Sequence, residues 1–450
     1  MKAQERENPP SEAKVRKHLS ADALFKTVRG KFKDVPDWRN GDADISITDA
    51  LMSGFAMFSL KDPSLLAFER RRTARDHNLH TIYGIEKVPC DSRMREMIDE
   101  IVPESLRPAF LEVFRSLQRG KALEPMVHMN GCYILCLDGT GYFSSEKLSS
   151  KACMMKVSKT GKITYYLQML GAAIVHPDFK EVIPFMPEMI LKQDGETKND
   201  CERNAARRFL EKFRKDHPNL QVIVAEDALS PNAPHIRDLQ AYDMHFILGV
   251  KPGDHAFLFD RVEQAVKAGK AMEFTMDDPS NPKLGHYFRF VNGVALNQSN
   301  QDLPVNVLEY WEVTAEGMKS FSWVTDFTIT KENAYQIMRG GRARWKIENE
   351  TFNTLKNQGY NFEHNYGLGK KDLSTNFVML MMLAFLVDQA QQLCCALFRS
   401  VWKKLGSKRD LWERTRAMFY DFNLESMEML YRALLYGYEK QAPILLCASS

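Results

Sequence analysis

Two short segments constrain this chain more than anything else in it. Residues 132–137 and 220–225 are apolar at nearly every position. A strand without in–out alternation must be covered on both faces, as in the centre of a sheet flanked by helices. Each run leads straight into an acid: Asp138 follows the first, and Glu226–Asp227 follows the second. A carboxylate at the tip of a buried strand is costly unless it is solvated, paired or bound to a metal. For either Asp alone, an Asp capping a turn is the weightier reading. Two such strands in one sheet favour a shared site.

The rest of the chain supplies the cover. At 450 residues it is long enough for two or three domains. Residues 1–46 read as a disordered or basic N-terminal arm, with ten Lys/Arg against six Asp/Glu over residues 1–40. Residues 47–127 read as a helical N-terminal domain. The period changes at about residue 128. Residues 128–270 and 328–400 form an α/β unit, interrupted over 271–327 by short alternating segments that predict a β-rich insertion. Residues 401–450 read as helical. The expected architecture is a mixed sheet flanked by helices, interrupted by the insertion, between helical N- and C-terminal regions.

Several function classes drop out. The eight cysteines show no metal-ligand spacing, so a structural zinc site is not expected and a reduced, cytosolic setting is. The first 20 residues are polar, unlike a signal peptide. The longest apolar run, residues 377–387, falls short of the roughly 20 residues a membrane span needs, so it predicts a buried helix and no membrane partner.

A third acid emerges from helical phase over residues 331–358. At about 100° per residue, Trp345, Phe352 and Leu355 fall within about 60° of Glu348. Glu348 is therefore expected on the apolar face, where an unpaired carboxylate is not tolerated. Glu350 falls on the polar face beside Lys346 and Asn353. Arg344, one turn before Glu348, is the alternative partner. Asp138, Asp227 and Glu348 together suit Mg²⁺ or Mn²⁺, which take oxygen ligands. Two such ions can activate an attacking oxygen and stabilise a leaving one in phosphoryl transfer. The acidic stretch around Gln193, Asp194, Asp200 and Glu202 would border this site, although a turn leading into a capped helix explains it more simply.

These residues resemble a known family. Arg344–Trp345–Lys346–Ile347–Glu348, followed by Phe352 and Leu355–Lys356, is similar to the helix that carries the last catalytic Glu in transposases of the insertion-sequence-4 group. Leu137–Asp138–Gly139–Thr140 and Glu226–Asp227–Ala228–Leu229 resemble the segments carrying the two Asp. The motif's Tyr position holds Gly341, and its Lys is displaced by one, to Lys356. The resemblance implies a ribonuclease-H-like catalytic domain with Asp138, Asp227 and Glu348 as catalytic and metal-binding residues. It implies cut-and-paste chemistry on the terminal inverted repeats of a mobile element, strand transfer into target DNA, and a homodimer that joins two ends in the bacterial cytosol. A related metal nuclease, or a domesticated DNA-binding relative, is the alternative. A non-catalytic interaction protein, with the three acids in unrelated surface pairs, is the rival from another class. Arg342, Arg344 and Lys356 are the expected DNA contacts, together with Lys370 and Lys371 in a Gly- and Lys-rich loop suited to phosphates.

Overall fold

The structure is a computed structural model that describes residues 16–39, 43–191, 201–278, 281 and 283–437. The first apolar run becomes β1 (Tyr133–Ser145), followed by β2 (Met154–Val157), β3 (Ile163–Val175), β4 (Ile183–Pro184) and β5 (Glu188–Ile190). The second run becomes β6 (Val222–Glu226), with every residue buried, and β7 (His245–Gly249) follows. One sheet joins them in the order β2-β3-β1-β6-β7. The first strand lies in the middle, antiparallel to β3 and parallel to β6, which is in turn parallel to β7. This is the ribonuclease-H-like arrangement, a mixed sheet flanked by helices.

The insertion expected over 271–327 comprises β8 (Met272–Asp277), β9 (Gly285–Asn297), β10 (Asn300–Thr314) and β11 (Gly317–Thr325). It does not fold as a separate sheet. β11 pairs antiparallel with β7, Val324 opposite Leu248, so the insertion extends the main sheet by four strands.

Helices from both ends of the chain close over the sheet. The apolar run over 377–387 lies within Leu373–Cys394, a helix apolar enough by length and composition to cross a membrane. Its most hydrophobic window is 94% buried inside the protein. It packs against Ile47–Ser59, Asp91–Asp99 and Arg107–Arg119. The arm expected over 1–46 differs from what forms. Ala21–Phe32 is a helix capped by Ser20, with Leu24, Phe25, Val28 and Phe32 buried. The spacing of Leu24 and Val28 gives a buried stripe that the surrounding charges hide from a composition count. Residues 1–15 lie outside the described residues. The C-terminal region supplies Ala396–Leu405, Lys408–Asp421 and Met427–Tyr436.

A buried ion pair ties the two ends together. Lys61 is 2% exposed and pairs with the Asp388 carboxylate of the long central helix. The Tyr360 hydroxyl donates to the same carboxylate at 2.5 Å, and the Lys61 ammonium lies 3.9 Å from the centre of the Trp412 ring. Burial pushes the Asp388 pKa up and the Lys61 pKa down, so each depends on its partner to stay charged. We expect Asp388→Ala to lower stability by about 3–5 kcal/mol in chemical denaturation, because it strands a buried ammonium. The double change Lys61→Met with Asp388→Leu should recover most of that loss.

Candidate active site

The parallel pairing of β1 with β6 points both Asp-bearing segments to the same end of the sheet. Register runs Tyr133–Val222 through Cys136–Ala225. Asp138 lies two residues beyond that register on β1 and Asp227 directly follows the last residue of β6, and both line one cavity of about 460 Å³. Contrary to expectation, Asp138 does not end its strand, because β1 continues to Ser145 against β3. Only its parallel partner stops there, and the glycine-rich segment after Asp138 absorbs a register shift between Gly141 and Phe143. Asp227 does cap its own turn: one carboxylate oxygen accepts from the Leu229 N–H at 2.9 Å. Asp227 also lines both cavities at this end of the sheet, of about 460 and 630 Å³.

Glu348 arrives from the helical run after the insertion. Ala334–Ala343 is α-helical, Ile347–Phe352 is a π-helical turn, and Asn353–Asn357 returns to α. The π turn is underwound, and such turns are frequent at functional sites. It alters the phase expected from an ideal helix. Ile347, Thr351, Phe352 and Leu355 are buried, Trp345 is 57% exposed, and the Glu348 side chain is 44% exposed. Glu348 therefore sits half-exposed at the margin of the packed face rather than within the core, lining neither cavity itself and touching Arg344, which lines the larger one.

One guanidinium links the acids. A single Arg344 nitrogen lies 2.7 Å from Glu348 and 3.4 Å from Asp138. Burial pushes the Asp138 carboxyl up to about 7, opposed by Arg344 and reinforced by the negative charges of Glu348 and Glu202. Of the acidic stretch expected either to border the site or simply to open a helix, Glu202 does both. It begins the helix Glu202–Asp216 and reaches across Gly139, where an added Cβ would lie 2.1 Å from its carboxylate oxygen. Its pKa is raised by burial, then by Asp227 and Glu226. The legible signal was the glycine directly after Asp138, the gap that Glu202 fills. Residues 192–200 lie outside the described residues.

The donor set is entirely oxygen, as Mg²⁺ and Mn²⁺ require. Among the described residues no three acids converge closely enough to share an ion as they stand. Between Asp138 and Glu348, the Arg344 guanidinium is the cation that stands in for one. The chemistry of the residues therefore fits a divalent ion.

The expected DNA contacts divide in two. Arg342 and Arg344 line the larger cavity with Asp227, Trp311, Phe321 and Trp345. Arg342 pairs with Glu312 at 2.9 Å and lies over the Phe321 ring. Lys356 pairs with Glu363 at 3.0 Å. Lys370 and Lys371 lie outside both cavities. Their backbone N–H groups donate to the Asp99 carboxylate at 2.8 and 3.0 Å, so the loop expected to approach phosphates binds an internal anion. The vacant Tyr position has a physical cause. A Cβ on Gly341 would meet the Trp323 indole at 2.4 Å, so an aromatic ring from the insertion fills that space.

The raised Asp138 pKa makes a signed prediction. Between the unfolded value of 3.8 and about 7, the folded state binds more protons at this carboxyl, so its contribution to stability falls as pH rises through that window. We expect Asp138→Asn to raise Tm by a few degrees at about pH 8 and by less at about pH 5. An unchanged or lower Tm at the higher pH would contradict the assignment of this strain to Asp138.

Comparison with known proteins identifies a family for the chain. The family model described as Transposase DDE domain matches residues 159–386. That range contains Asp227 and Glu348 and begins after Asp138. No curated protein matches the chain. A cryo-EM structure of a piggyBac transposase synaptic complex with hairpin DNA is similar at 13% identity and a TM-score of 0.42, over 96% of this chain and 84% of that one. At that score the likeness adds nothing to the assignment, which rests on the family match over half the chain: this protein belongs to the transposase DDE domain family.

Proposed function

We propose that the protein is a DNA transposase of the insertion-sequence-4-like type, cutting the ends of a mobile element and joining them to target DNA. The observation that carries this reading is the Arg344 guanidinium held between Asp138 and Glu348, with Asp227 lining the same cavity as Asp138.

In this reading Asp138, Asp227 and Glu348 would hold one or two Mg²⁺ or Mn²⁺ ions. When bound, such ions activate the attacking oxygen and stabilise the leaving one in phosphoryl transfer. The protein's own groups prepare the place. The buried strands fix the two Asp, while the helical run brings Glu348 to the margin of the packed face. Arg344 neutralises Asp138 and Glu348 in the absence of substrate, and with Arg342 it is placed to meet a phosphate entering the cleft. The partners are the terminal inverted repeats of the element and its target duplex. A homodimer would bring two ends together, in the cytosol where the DNA lies.

Replacing Asp138, Asp227 or Glu348 with Ala should reduce Mg²⁺-dependent cleavage of element-end DNA on the order of a thousandfold or more, the scale of several kcal/mol of lost charge stabilisation. Duplex binding should survive each change, and Glu350→Ala should cleave like wild type. Cleavage retained by Asp138→Ala would refute the proposal.

A further inference from the structure

The sheet's outer end carries a feature that the catalytic cleft does not use. Beyond Asp138, β1 runs on to Ser145, and the chain turns back through an exposed loop into β2 and then β3. Residues 144–166 contain five lysines, Lys147, Lys151, Lys156, Lys159 and Lys162, against a single acid, Glu146. All five lysines are exposed. Glu146 pairs with Lys162 at 2.5 Å. Among the described residues, Lys147, Lys151, Lys156 and Lys159 meet no carboxylate. The tip is a tight turn in which the Ser158 N–H donates to the Lys162 carbonyl at 2.9 Å and Gly161 takes φ +80°.

We propose that this lysine hairpin is a second contact for the phosphate backbone of the DNA held at the catalytic acids. The inference rests on the reading of the cleft as a DNA-cutting site. At about 3.3 Å per residue, β1 carries its end about 23 Å beyond Asp138. That span matches about seven base pairs of duplex, at about 3.4 Å per phosphate along one strand. A phosphate at Asp138 and phosphates at the hairpin therefore belong to one continuous helix. The simpler account is that lysines guard the free edge of β2 from pairing with another chain. Edge guarding requires charge on the strand itself. Here Lys147 and Lys151 lie in the preceding loop and Lys159 lies in the turn, so the charge follows the hairpin rather than the edge. Leu148, Met155, Val157 and Ile163 are also exposed here, which makes a second copy of the chain the competing occupant. Four lysines on one arm that meet no carboxylate among the described residues, Lys156 lying 5.9 Å from the centre of the Tyr166 ring, oppose such self-pairing and favour an anionic partner.

The test uses the full chain with Lys147, Lys151, Lys156 and Lys159 all changed to Ala, and the same four changed to Arg. Affinity for a duplex of about 30 base pairs is measured across a salt series, with sedimentation in parallel. Each lysine that touches a phosphate contributes about 0.9 to the slope of log affinity against log salt. The Ala variant should show a shallower slope and weaker binding, with wild-type Tm, and the Arg variant should restore both. Identical slope and affinity in the Ala variant would overturn the hairpin contact while leaving the cleft intact. Loss of a dimer with unchanged DNA binding would overturn it in favour of self-association. Wild-type protein with no salt-dependent duplex binding would overturn the reading of the cleft as well.

Discussion

The organisation of this molecule turns on a repulsion and its compensation. Parallel pairing of two buried strands leaves Asp138 and Asp227 lining one cavity at one end of the sheet, and Glu348 and Glu202 add negative charge near Asp138 from helices. Burial of the Asp138 carboxyl, then those like charges, disfavour its ionised form. The Arg344 guanidinium contacts Asp138 and Glu348, and the Asp138 carboxyl keeps its proton up to about 7. The surrounding helices and insertion hold the acids in place despite that cost, as is common where function needs a strained site.

The sequence makes the centre of this arrangement legible because burial on both faces leaves a distinct pattern. Residues 132–137 and 220–225 admit no solvent-facing side, so a central position in a covered sheet follows, and with it the placing of the two acids after them. The insertion was legible for the opposite reason, since its strands alternate. Its attachment was not. Pairing of β11 with β7 is a long-range contact between short segments, and nothing local encodes it.

What local reasoning missed has specific physical causes. An ideal helical phase places Glu348 among buried side chains, but the π turn over Ile347–Phe352 shifts it to the margin of the packed face. That Glu202, of the whole acidic stretch, reaches the site depends on Gly139, which leaves a gap on β1. The missing Tyr of the motif is explained by Trp323, which comes from the insertion and fills the space over Gly341. The N-terminal helix Ala21–Phe32 is masked in composition by its charges, although its buried residues join the core. In each case the decisive contact is made by a residue remote in sequence.

The central claim is that Asp138, Asp227 and Glu348 form one divalent-metal site. Fe²⁺ substituted for Mg²⁺, with ascorbate and peroxide, generates hydroxyl radicals that cut the polypeptide close to the bound ion. Carried out on the protein with duplex DNA, the experiment should yield fragments ending near residues 138, 227 and 348, suppressed by excess Mg²⁺ and lost in Asp227→Ala. Cuts that avoid these three segments, or that persist unchanged in that variant, would contradict a shared site.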